Sequence, residues 1–398
     1  MSESIVAFDF QPRTRIVFGA GRVAELGRLA SECAARRVLL VTDRTLVALG
    51  HAERGRESLA RAGIEVALFD GVRENPDTDD VARCLEAARA ARIDGFVGLG
   101  GGSSLDTAKA CNFLLTNGGR MEDYWGRGRA TQPMLPLIAV PTTAGTGSEC
   151  QSFTLVADAR SHRKMACGDP KAAPRVALLD PELTATQPRQ VTADTGIDTL
   201  VHALESAVTT ARNEVSSLFA RRAFALAVAS LPRVLDEPGD LAARGAMQLA
   251  AAYAGLAIEH SMLGAAHSAA NPLTARHGVV HGRAVALMVP AVIRHNAVDP
   301  AIARLYAELA IEARIVAAGE NVERVVGALL DAVERILDHA GMPRRLADLG
   351  IDPTGIPALA ADAADQWTAR FNPRPVDVAD FTSLYRSLLA PGPARGRA

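Results

Sequence analysis

The sequence predicts an α/β N-terminal domain built on a largely parallel sheet, at residues 1–184, followed by an all-helical domain at residues 185–398. Two observations carry this prediction. From about residue 15 to residue 180, short β-branched runs alternate with helical stretches rich in Ala, Arg and Glu, which is the pattern of βαβ units in a sheet covered on both faces. After Leu183 the segments become long and rich in Ala and Leu, with helical spacing, and β-rich runs are few.

The strands of the first domain are predicted in apolar runs, with helices between the first of them. The predicted strands are Val38–Val41, Val66–Phe69, Phe96–Leu99, Leu137–Val140 and Val176–Leu179, and the predicted helices include Arg56–Ala62 and Asp79–Ala91. The segment Gly19–Ala24 resembles a dinucleotide fingerprint, but no acidic residue closes a following strand at the expected distance, so we predict a plain turn and helix start. Pro181 and Pro188 break the chain near the domain junction.

Composition excludes several classes of protein. A formal net charge of −2 and a pI of about 6.5 leave no basic field for a nucleic acid, so no nucleic-acid partner is expected. The five cysteines are scattered without a CxxC pair, which is typical of reduced thiols in a cytosol. No apolar run approaches the ~20 residues that span a bilayer, and the N-terminus MSESIVAFDF has no secretory pattern. We therefore expect a cytoplasmic protein with no membrane partner.

A glycine-rich loop follows the third predicted strand. The run Phe96–Lys109 passes from a strand into Gly100-Gly101-Gly102 and then into a helix that we expect a serine to cap. Successive backbone N–H groups with no Cβ in the way can face an anion at the start of a helix, which suits a pyrophosphate. The alternative is a tight strand-to-helix turn, but such a turn needs one glycine rather than three.

Two further segments lie at the carboxyl ends of predicted strands, the edge that faces the ligand in an open α/β sheet. Pro141–Glu149 concentrates small hydroxyl side chains after the strand Leu137–Val140, although taken alone it is only a polar loop. Asp43 closes the strand that begins at Val38, where a carboxylate can accept hydrogen bonds from ribose hydroxyls and repel a 2′-phosphate. The sequence therefore predicts a preference for NAD over NADP.

The second predicted domain contains side chains that suit a metal site. Asp198 and His202 are four residues apart in a helical segment, so both project from one face, although such a pair is more often a solvated surface couple. Five of the nine histidines lie between His260 and His295, amid apolar and small residues, where unpaired polar groups are costly to bury. Carboxylate and neutral imidazole ligands suit Fe²⁺ or Zn²⁺ better than Mg²⁺ or Ca²⁺.

These motifs, in this order and spacing, resemble those of the iron-containing (group III) alcohol dehydrogenase family along nearly the whole chain. The matching features are GGGSSLDTAK at Gly100–Lys109, PTTAGTGSE at Pro141–Glu149, LDPEL at Leu179–Leu183, Asp198 with His202, and His267 with His281. The resemblance implies a Rossmann-like N-terminal domain and an all-helical C-terminal domain, the fold shared with dehydroquinate synthase. It also implies two cofactors, NAD(H) and a divalent metal, Fe²⁺ or in some members Zn²⁺, held by one Asp and three His.

The resemblance assigns site residues position by position. The implied metal ligands are Asp198, His202, His267 and His281. The implied nucleotide contacts are Asp43, Asn75, Gly101, Gly102, Ser103, Asp106, Thr142, Thr143, Thr146 and Lys164. Lys164 matches a basic position that the family places near the nicotinamide ribose, and it is also predicted to contribute to catalysis.

The chain departs from the family's pattern at the proton relay. Many members carry a histidine before the Pro-Leu pair that follows the third ligand, and Asn271 stands there in this chain. An amide does not titrate near neutral pH, so the relay needs another group or water. His277 stands where an aromatic residue is common and is the candidate substitute; the alternative is an ordinary half-buried histidine. The predicted catalytic residues are therefore His277, Asn271 and Lys164.

The predicted function is reversible hydride transfer between a small alcohol and NAD⁺, with the metal acting as a Lewis acid. The first alternative is a metal-independent reductase of the maleylacetate reductase type, which should carry cationic residues for a dicarboxylate. The second is an NAD- and metal-dependent cyclase of the dehydroquinate synthase type, whose metal set normally contains a glutamate. We expect a homo-oligomer, a dimer or larger, whose other partner is a small alcohol or aldehyde.

Overall fold

A computed structural model describes residues 6–161 and 163–389 of the chain. These residues form two compact units, neither of which is continuous in sequence. The first unit contains residues 11–188 and 239–255, and the second contains residues 6–10, 189–238 and 256–389. The predicted boundary after residue 184 lies close to the division at residue 188, whereas the inclusion of residues 239–255 in the first unit was not predicted.

The first unit is built around a six-stranded parallel sheet with the strand order β1-β9-β6-β4-β2-β3. Its described strands are β1 (Arg15–Phe18), β2 (Arg37–Val41), β3 (Glu65–Phe69), β4 (Gly95–Gly100), β5 (Gly126–Arg127), β6 (Leu137–Pro141), β7 (Phe153–Ala157), β8 (Lys164–Gly168) and β9 (Val176–Leu179). All five predicted strands are present in this sheet, and β1 is added at one edge. β4 and β6 are entirely buried, as expected for central strands covered on both faces.

Helices of the first unit pack on the sheet, and buried apolar clusters fill the space on its two faces. They are α1 (Leu26–Glu32), α2 (Arg44–Ala48), α3 (His51–Arg61), α4 (Thr78–Ala91) and α5 (Gly102–Asn117). α3 begins earlier than the predicted Arg56, directly after the left-handed Gly50 (φ 79°). The segment Gly19–Ala24 forms a turn and a 3-10 helix start, as predicted, and two of its backbone N–H groups donate to the carboxylate of Asp180.

A small three-stranded sheet, with the order β5-β8-β7, was not predicted from the sequence. β7 pairs antiparallel with β8, and β5 pairs parallel with β8. The hydroxyl of Thr154 on β7 donates to the backbone carbonyl of Asp106 on α5 at 2.8 Å. The small sheet is thereby attached to the helix that follows the glycine-rich loop.

The second unit is all-helical in its described residues, as predicted. The helices are α6 (Arg189–Val208), α7 (Glu214–Asp236), α8 (Leu241–Glu259, shared with the first unit), α9 (Ala265–His277), α10 (His281–Asn296), α11 (Pro300–Glu312), α12 (Val322–His339), α13 (Ile356–Ala364) and α14 (Val378–Arg386). α6 packs against α7 and α10, and α10 packs against α9. α6 is buried on almost all sides after its first turn, so the polar side chains that it carries are enclosed.

In the described part of the chain, α8 is long and apolar enough to cross a membrane by length and composition alone. The expectation that no apolar run approaches this length was therefore wrong. Of its most apolar 18-residue stretch, 72% is buried. Nε2 of Gln248 donates hydrogen bonds to the backbone carbonyls of Pro141 and Asp180. These contacts hold residues 239–255 in the first unit and make this part of α8 a core helix.

Candidate metal centre and nucleotide loops

Three helices of the second unit bring together four potential metal ligands. α6 supplies Asp198 and His202 one turn apart, α9 supplies His267, and α10 begins at His281. α9 is followed by Gly278, whose left-handed backbone (φ 64°) is a conformation that favours glycine at a helix end. Only a short loop therefore separates the two helices that carry His267 and His281.

The Oδ1 atom of Asp198 is the centre of this arrangement. It lies 3.4 Å from Nε2 of His202, 3.4 Å from Nε2 of His267 and 3.7 Å from Nε2 of His281. Two ligands of a tetrahedral ion with bonds of about 2.1 Å stand about 3.4 Å apart. The separations therefore fit side chains that share one ion, and the donor atoms of Asp198, His267 and His281 all lie within 4.8 Å of one another.

The electrostatics of the site favour a cation. Burial raises the pKa of the Asp198 carboxyl, but the surrounding imidazoles overcome this and hold that pKa well below its ordinary value. Burial lowers the pKa of His267, and the carboxylates of Asp198 and Glu205 overcome this and raise it to about 9. Among the described atoms, Oδ1 of Asp198 and Nε2 of His267 nevertheless have no hydrogen-bond partner. Buried polar atoms need a partner, and a divalent ion fits this donor set.

A buried glutamate that sequence reasoning missed contacts one of these ligands. Oε2 of Glu205 accepts a hydrogen bond from Nδ1 of His267 at 2.6 Å, and Oε1 accepts one from the backbone N–H of Ala266 at 2.7 Å. The one signal in the sequence was spacing, because Asp198, His202 and Glu205 fall on the same face of a helix. A glutamate at such a position is usually solvated, so the spacing alone did not single it out.

The glycine-rich loop is shaped by contacts that a side chain would block. Gly100 has φ 153°, and a Cβ atom there would overlap the side chain of Ser104. A Cβ atom at Gly102 would lie 2.6 Å from Cγ2 of Thr146. The loop and the Pro141–Glu149 segment, predicted separately as nucleotide signals, therefore pack directly against each other.

The prediction that a serine caps the following helix is wrong. α5 begins at Gly102 with Gly101 at the N-cap position, and no side chain accepts a hydrogen bond from its first turn. Ser103 and Ser104 instead lie inside that turn, because the extended backbone of Gly101 starts the helix earlier. A helix start without a side-chain cap leaves N–H groups for a bound anion.

Asp106, predicted to contact the nucleotide, is buried inside the first unit. Its Oδ1 accepts a hydrogen bond from Oγ of Ser148 at 2.7 Å, and its Oδ2 accepts one from the backbone N–H of Leu155 at 3.0 Å. Lys109 is fully buried nearby and donates to the carbonyl of Ser148 at 2.6 Å and to its hydroxyl at 2.8 Å. Through these bonds Asp106 and Lys109 hold the Pro141–Glu149 segment against α5, and the direct contact of Asp106 with the nucleotide stays a prediction.

Asp43 lies beside the glycine-rich loop and caps a helix. Its Oδ1 accepts a hydrogen bond from the backbone N–H of Leu46 at the start of α2, at 3.0 Å. A Cβ atom at Gly100 would lie 3.2 Å from the side chain of Leu46, so α2 contacts the loop. One carboxylate oxygen of Asp43 is thus engaged in the helix cap.

Other predicted nucleotide residues lie after β6, before α4 and at the start of β8, all in the first unit. Thr142 is buried and donates its backbone N–H to the carbonyl of Gly100 at 3.0 Å, and Thr143 is half-buried. Asn75 is exposed and left-handed (φ 52°), a conformation that asparagine tolerates. The next residue, Pro76, accepts a hydrogen bond at its carbonyl from the backbone N–H of Ala157. Ala157 is paired in the small sheet with Lys164, whose side chain is exposed.

The predicted relay residues are separated along α9. Asn271 lies one turn after His267, is half-buried, and donates from Nδ2 to Oε1 of Gln366 at 3.1 Å. His277 is the last residue of α9 and is exposed. Ten residues of helix separate it from His267, which corresponds to about 15 Å along the axis.

The metal ligands and the nucleotide loops match family models over both parts of the chain. Residues 12–181 match the model described as iron-containing alcohol dehydrogenase, and residues 192–389 match the model of the C-terminal part of the Fe-containing alcohol dehydrogenase family. The chain belongs to the iron-containing alcohol dehydrogenase family. The resemblance predicted from the motifs is thus confirmed.

Relatives of this alcohol dehydrogenase cover it almost completely. It is 32% identical to the NAD-dependent methanol dehydrogenase of Bacillus methanolicus over 94% of this chain and 97% of the relative. The crystal structure of a 1,3-propanediol oxidoreductase superposes with a TM-score of 0.93 at 30% identity, over 96% of this chain and all of that one. A sulfoacetaldehyde reductase from Bifidobacterium kashiwanohense superposes with a TM-score of 0.87 at 29% identity, covering 96% and 99% of the two chains. These matches confirm the predicted two-part fold and the alcohol dehydrogenase activity.

Proposed function

We propose that this chain is a metal-dependent, NAD-linked alcohol dehydrogenase that interconverts a small alcohol and its aldehyde. Asp198, His202, His267 and His281 would hold Fe²⁺ or Zn²⁺. The observation that carries the proposal is the position of Asp198 Oδ1, buried and 3.4 to 3.7 Å from three imidazole Nε2 atoms. A solvated Asp-His couple, the other interpretation of the sequence spacing, would not be enclosed in this way.

The residues of the two units have different tasks in this reaction. When bound, the metal supplies Lewis acid chemistry at the substrate oxygen, and the nicotinamide supplies hydride transfer. The four ligands would hold the ion in a largely buried setting, where electrostatic interactions are strong. The Gly100–Gly102 loop and the start of α5, which has no side-chain cap, suit the pyrophosphate of a dinucleotide.

Two observations support NAD rather than NADP. Asp43 closes β2 next to the glycine-rich loop, where its carboxylate would repel a 2′-phosphate. The related methanol dehydrogenase is named as NAD-dependent, and the related sulfoacetaldehyde reductase was solved in complex with NAD⁺. Three relatives are named for methanol, 1,3-propanediol and sulfoacetaldehyde, which supports a short-chain alcohol or aldehyde as the substrate.

Metal removal and replacement under anaerobic conditions test this proposal. Protein stripped by a chelator and reloaded with Fe²⁺ or Zn²⁺ is assayed for NADH oxidation with short aldehydes and for NAD⁺ reduction with the matching alcohols. We expect no turnover in the stripped protein and recovery as a single ion per chain is restored. Full activity in the stripped protein would contradict the proposal and favour the metal-independent reductase.

We also propose that the enzyme is a cytoplasmic homo-oligomer, a dimer or larger. The five cysteines, all within the described residues, form no disulfide, which supports a reducing compartment. Light scattering coupled to size exclusion tests the assembly, and a monomer mass would contradict it. Cell fractionation tests the location.

A further inference from the structure

Glu205 is a charged side chain enclosed in the second unit beside the metal ligand His267. It shares one face of α6 with Asp198 and His202, but its carboxylate bonds to α9 and is not among the donor atoms that lie within 4.8 Å of one another. Oε2 accepts a hydrogen bond from Nδ1 of His267 at 2.6 Å, and Oε1 accepts one from the backbone N–H of Ala266 at 2.7 Å. Hydrogen bonds to a carboxylate at such distances are of the strong, charge-assisted kind.

The hydrogen bond from His267 decides which of its ring nitrogens carries the proton. A carboxylate only accepts hydrogen bonds, so Nδ1 must be protonated, and in a neutral imidazole Nε2 then presents its lone pair. Nε2 is the atom that lies 3.4 Å from Oδ1 of Asp198 without a hydrogen bond. We propose that Glu205 is a positioning residue of the metal centre, which selects the metal-binding tautomer of His267 and fixes the orientation of its ring.

The backbone at the start of α9 also bonds to Glu205. Its N-cap residue is Gly264, which has no side chain to cap the helix, and the first two N–H groups of α9 are donated to Asn372 and Glu205. A Cβ atom at Gly264 would lie 2.9 Å from Oδ1 of Asn372 and 3.1 Å from Oε1 of Glu205. Two side chains therefore hold the first turn of the helix that carries His267, and Glu205 is the one bonded to the imidazole.

The charges of the site support the same role. Burying an ionised carboxylate is costly unless opposite charge and hydrogen bonds compensate it. Asp198 and Glu205 are two buried carboxylates beside His267, and one divalent ion would balance their charges. A carboxylate behind a histidine ligand also raises the basicity of the ligating nitrogen.

Titration of the metal-free protein with Co²⁺ tests the inference, because the visible spectrum of bound Co²⁺ reports its coordination independently of turnover. Glu205→Gln keeps the size of the side chain and an oxygen for the Ala266 N–H. Its amide group then donates to Nδ1 of His267, which moves the ring proton to Nε2. We expect Co²⁺ affinity to fall roughly 10- to 100-fold, with a changed spectrum. Glu205→Asp, which keeps the carboxylate, should recover part of the affinity.

Asn372→Ala is the matched control, since it removes the other bond to the start of α9 without touching the imidazole. Its melting temperature should fall at least as much as that of Glu205→Gln, while its Co²⁺ affinity stays near wild type. An equal loss of affinity in both variants would overturn the inference, because Glu205 would then act only through the helix. Wild-type affinity and spectrum in Glu205→Gln would overturn it as well.

This inference rests on the proposed metal centre. A third variant distinguishes failure of the metal centre from failure of the role of Glu205. His267→Ala must weaken Co²⁺ binding if the centre exists. Wild-type binding in His267→Ala would refute the centre itself. Weak binding in His267→Ala together with wild-type binding in Glu205→Gln would refute only the role of Glu205.

Discussion

Oδ1 of Asp198 and Nε2 of His267 face each other at 3.4 Å in the interior of the second unit, without a hydrogen bond. The proton on Nδ1 of His267 faces Glu205, so Nε2 is the ring atom that a second proton or a metal ion can occupy on the side of Asp198. The separation is that of two ligands of one ion. The two atoms come from α6 and α9, so this relationship depends on the packing of the second unit and not on the nucleotide loops.

His267→Ala should therefore lose most of the bound metal and nearly all turnover, while NADH binding stays near wild type. The substitution removes a ligand in the second unit and leaves the glycine-rich loop of the first unit unchanged. Metal analysis, NADH titration and turnover on one preparation check the three outcomes. Ser268→Ala is the control, because the Ser268 hydroxyl bonds to Gly264 and Thr368 and not to a ligand. Full metal content in His267→Ala would contradict the assignment.

Gly102→Ala should weaken NADH binding without changing metal content. The added Cβ atom would lie 2.6 Å from Cγ2 of Thr146, so the glycine-rich loop and the Pro141–Glu149 segment must move apart. We expect the KM for NADH to rise by about tenfold, which is the effect of roughly 1.4 kcal/mol of lost binding. Gly327→Ala on α12 is the control, since nothing lies within 4 Å of its Cβ position. An unchanged KM in Gly102→Ala would show that the loop does not contact the cofactor.

Asp43→Asn should narrow the preference for NADH over NADPH. The amide still has an oxygen that can cap α2, but it no longer repels a 2′-phosphate. The ratio of kcat/KM for the two cofactors checks this, and the melting temperature shows that the cap is intact. Asp43→Gly should change the ratio in the same direction. A wild-type enzyme that already prefers NADPH would refute the role of Asp43.

The sequence was sufficient to predict the elements that depend on local pattern. The strands from β2 to β9 in the parallel sheet are apolar runs, and the glycine-rich loop is visible because three glycines are more than a turn requires. The sequence of β8, Lys164–Gly168, contains small residues with low strand propensity, so its pairing with β7 was missed. In the structure this strand pairs with both β5 and β7.

Contacts between residues far apart in the chain were not predicted from the sequence. Glu205 gains its role from a residue 62 positions later in the chain, which helix spacing cannot reveal. Asp106 is predicted to contact the nucleotide, and its hydrogen bonds to Ser148 and Leu155, 42 and 49 positions away, were not predicted. The partner of each carboxylate is decided by tertiary packing, which the local sequence pattern does not contain.

Glu149 should make the stability of the first unit depend on pH. Burial raises the pKa of its carboxyl to about 7 from an ordinary value of 4.5, against the opposing charge of Lys109. The folded state therefore keeps a proton that the unfolded state releases. The associated stability is fully present below pH 4.5 and is lost as the pH rises to about 7. A shift of this size corresponds to at most about 3 kcal/mol.

Glu149→Gln removes this titration, so the two proteins should respond differently to pH. Between pH 4.5 and about 7, the urea midpoint of the wild type should fall relative to that of the variant, and above this range the difference should stay constant. Comparing the two proteins at each pH cancels the titration of all other groups. A difference that does not vary with pH would mean that Glu149 keeps its ordinary pKa.

The last prediction concerns the proton that leaves the alcohol during oxidation. Asn271 lies one turn from His267 and bonds Gln366, and its amide does not change protonation state near neutral pH. His277 is exposed at the end of α9, about 15 Å along the axis from His267, so a proton can reach it only through water. The two residues therefore differ in what their substitution should do.

His277→Phe should lower turnover in the oxidation direction and alter its pH profile, because the terminal acceptor of the relay is lost, while metal content and NAD⁺ affinity stay near wild type. Asn271→His should raise the rate, since an imidazole one turn from His267 shortens the path of the proton. Steady-state rates across the pH range, with metal analysis of each variant, measure both effects. His277→Phe would contradict the relay if it kept the wild-type rate and pH profile while Asn271→His changed them. The proton would then leave through water beside Asn271, and His277 would have no part in proton transfer.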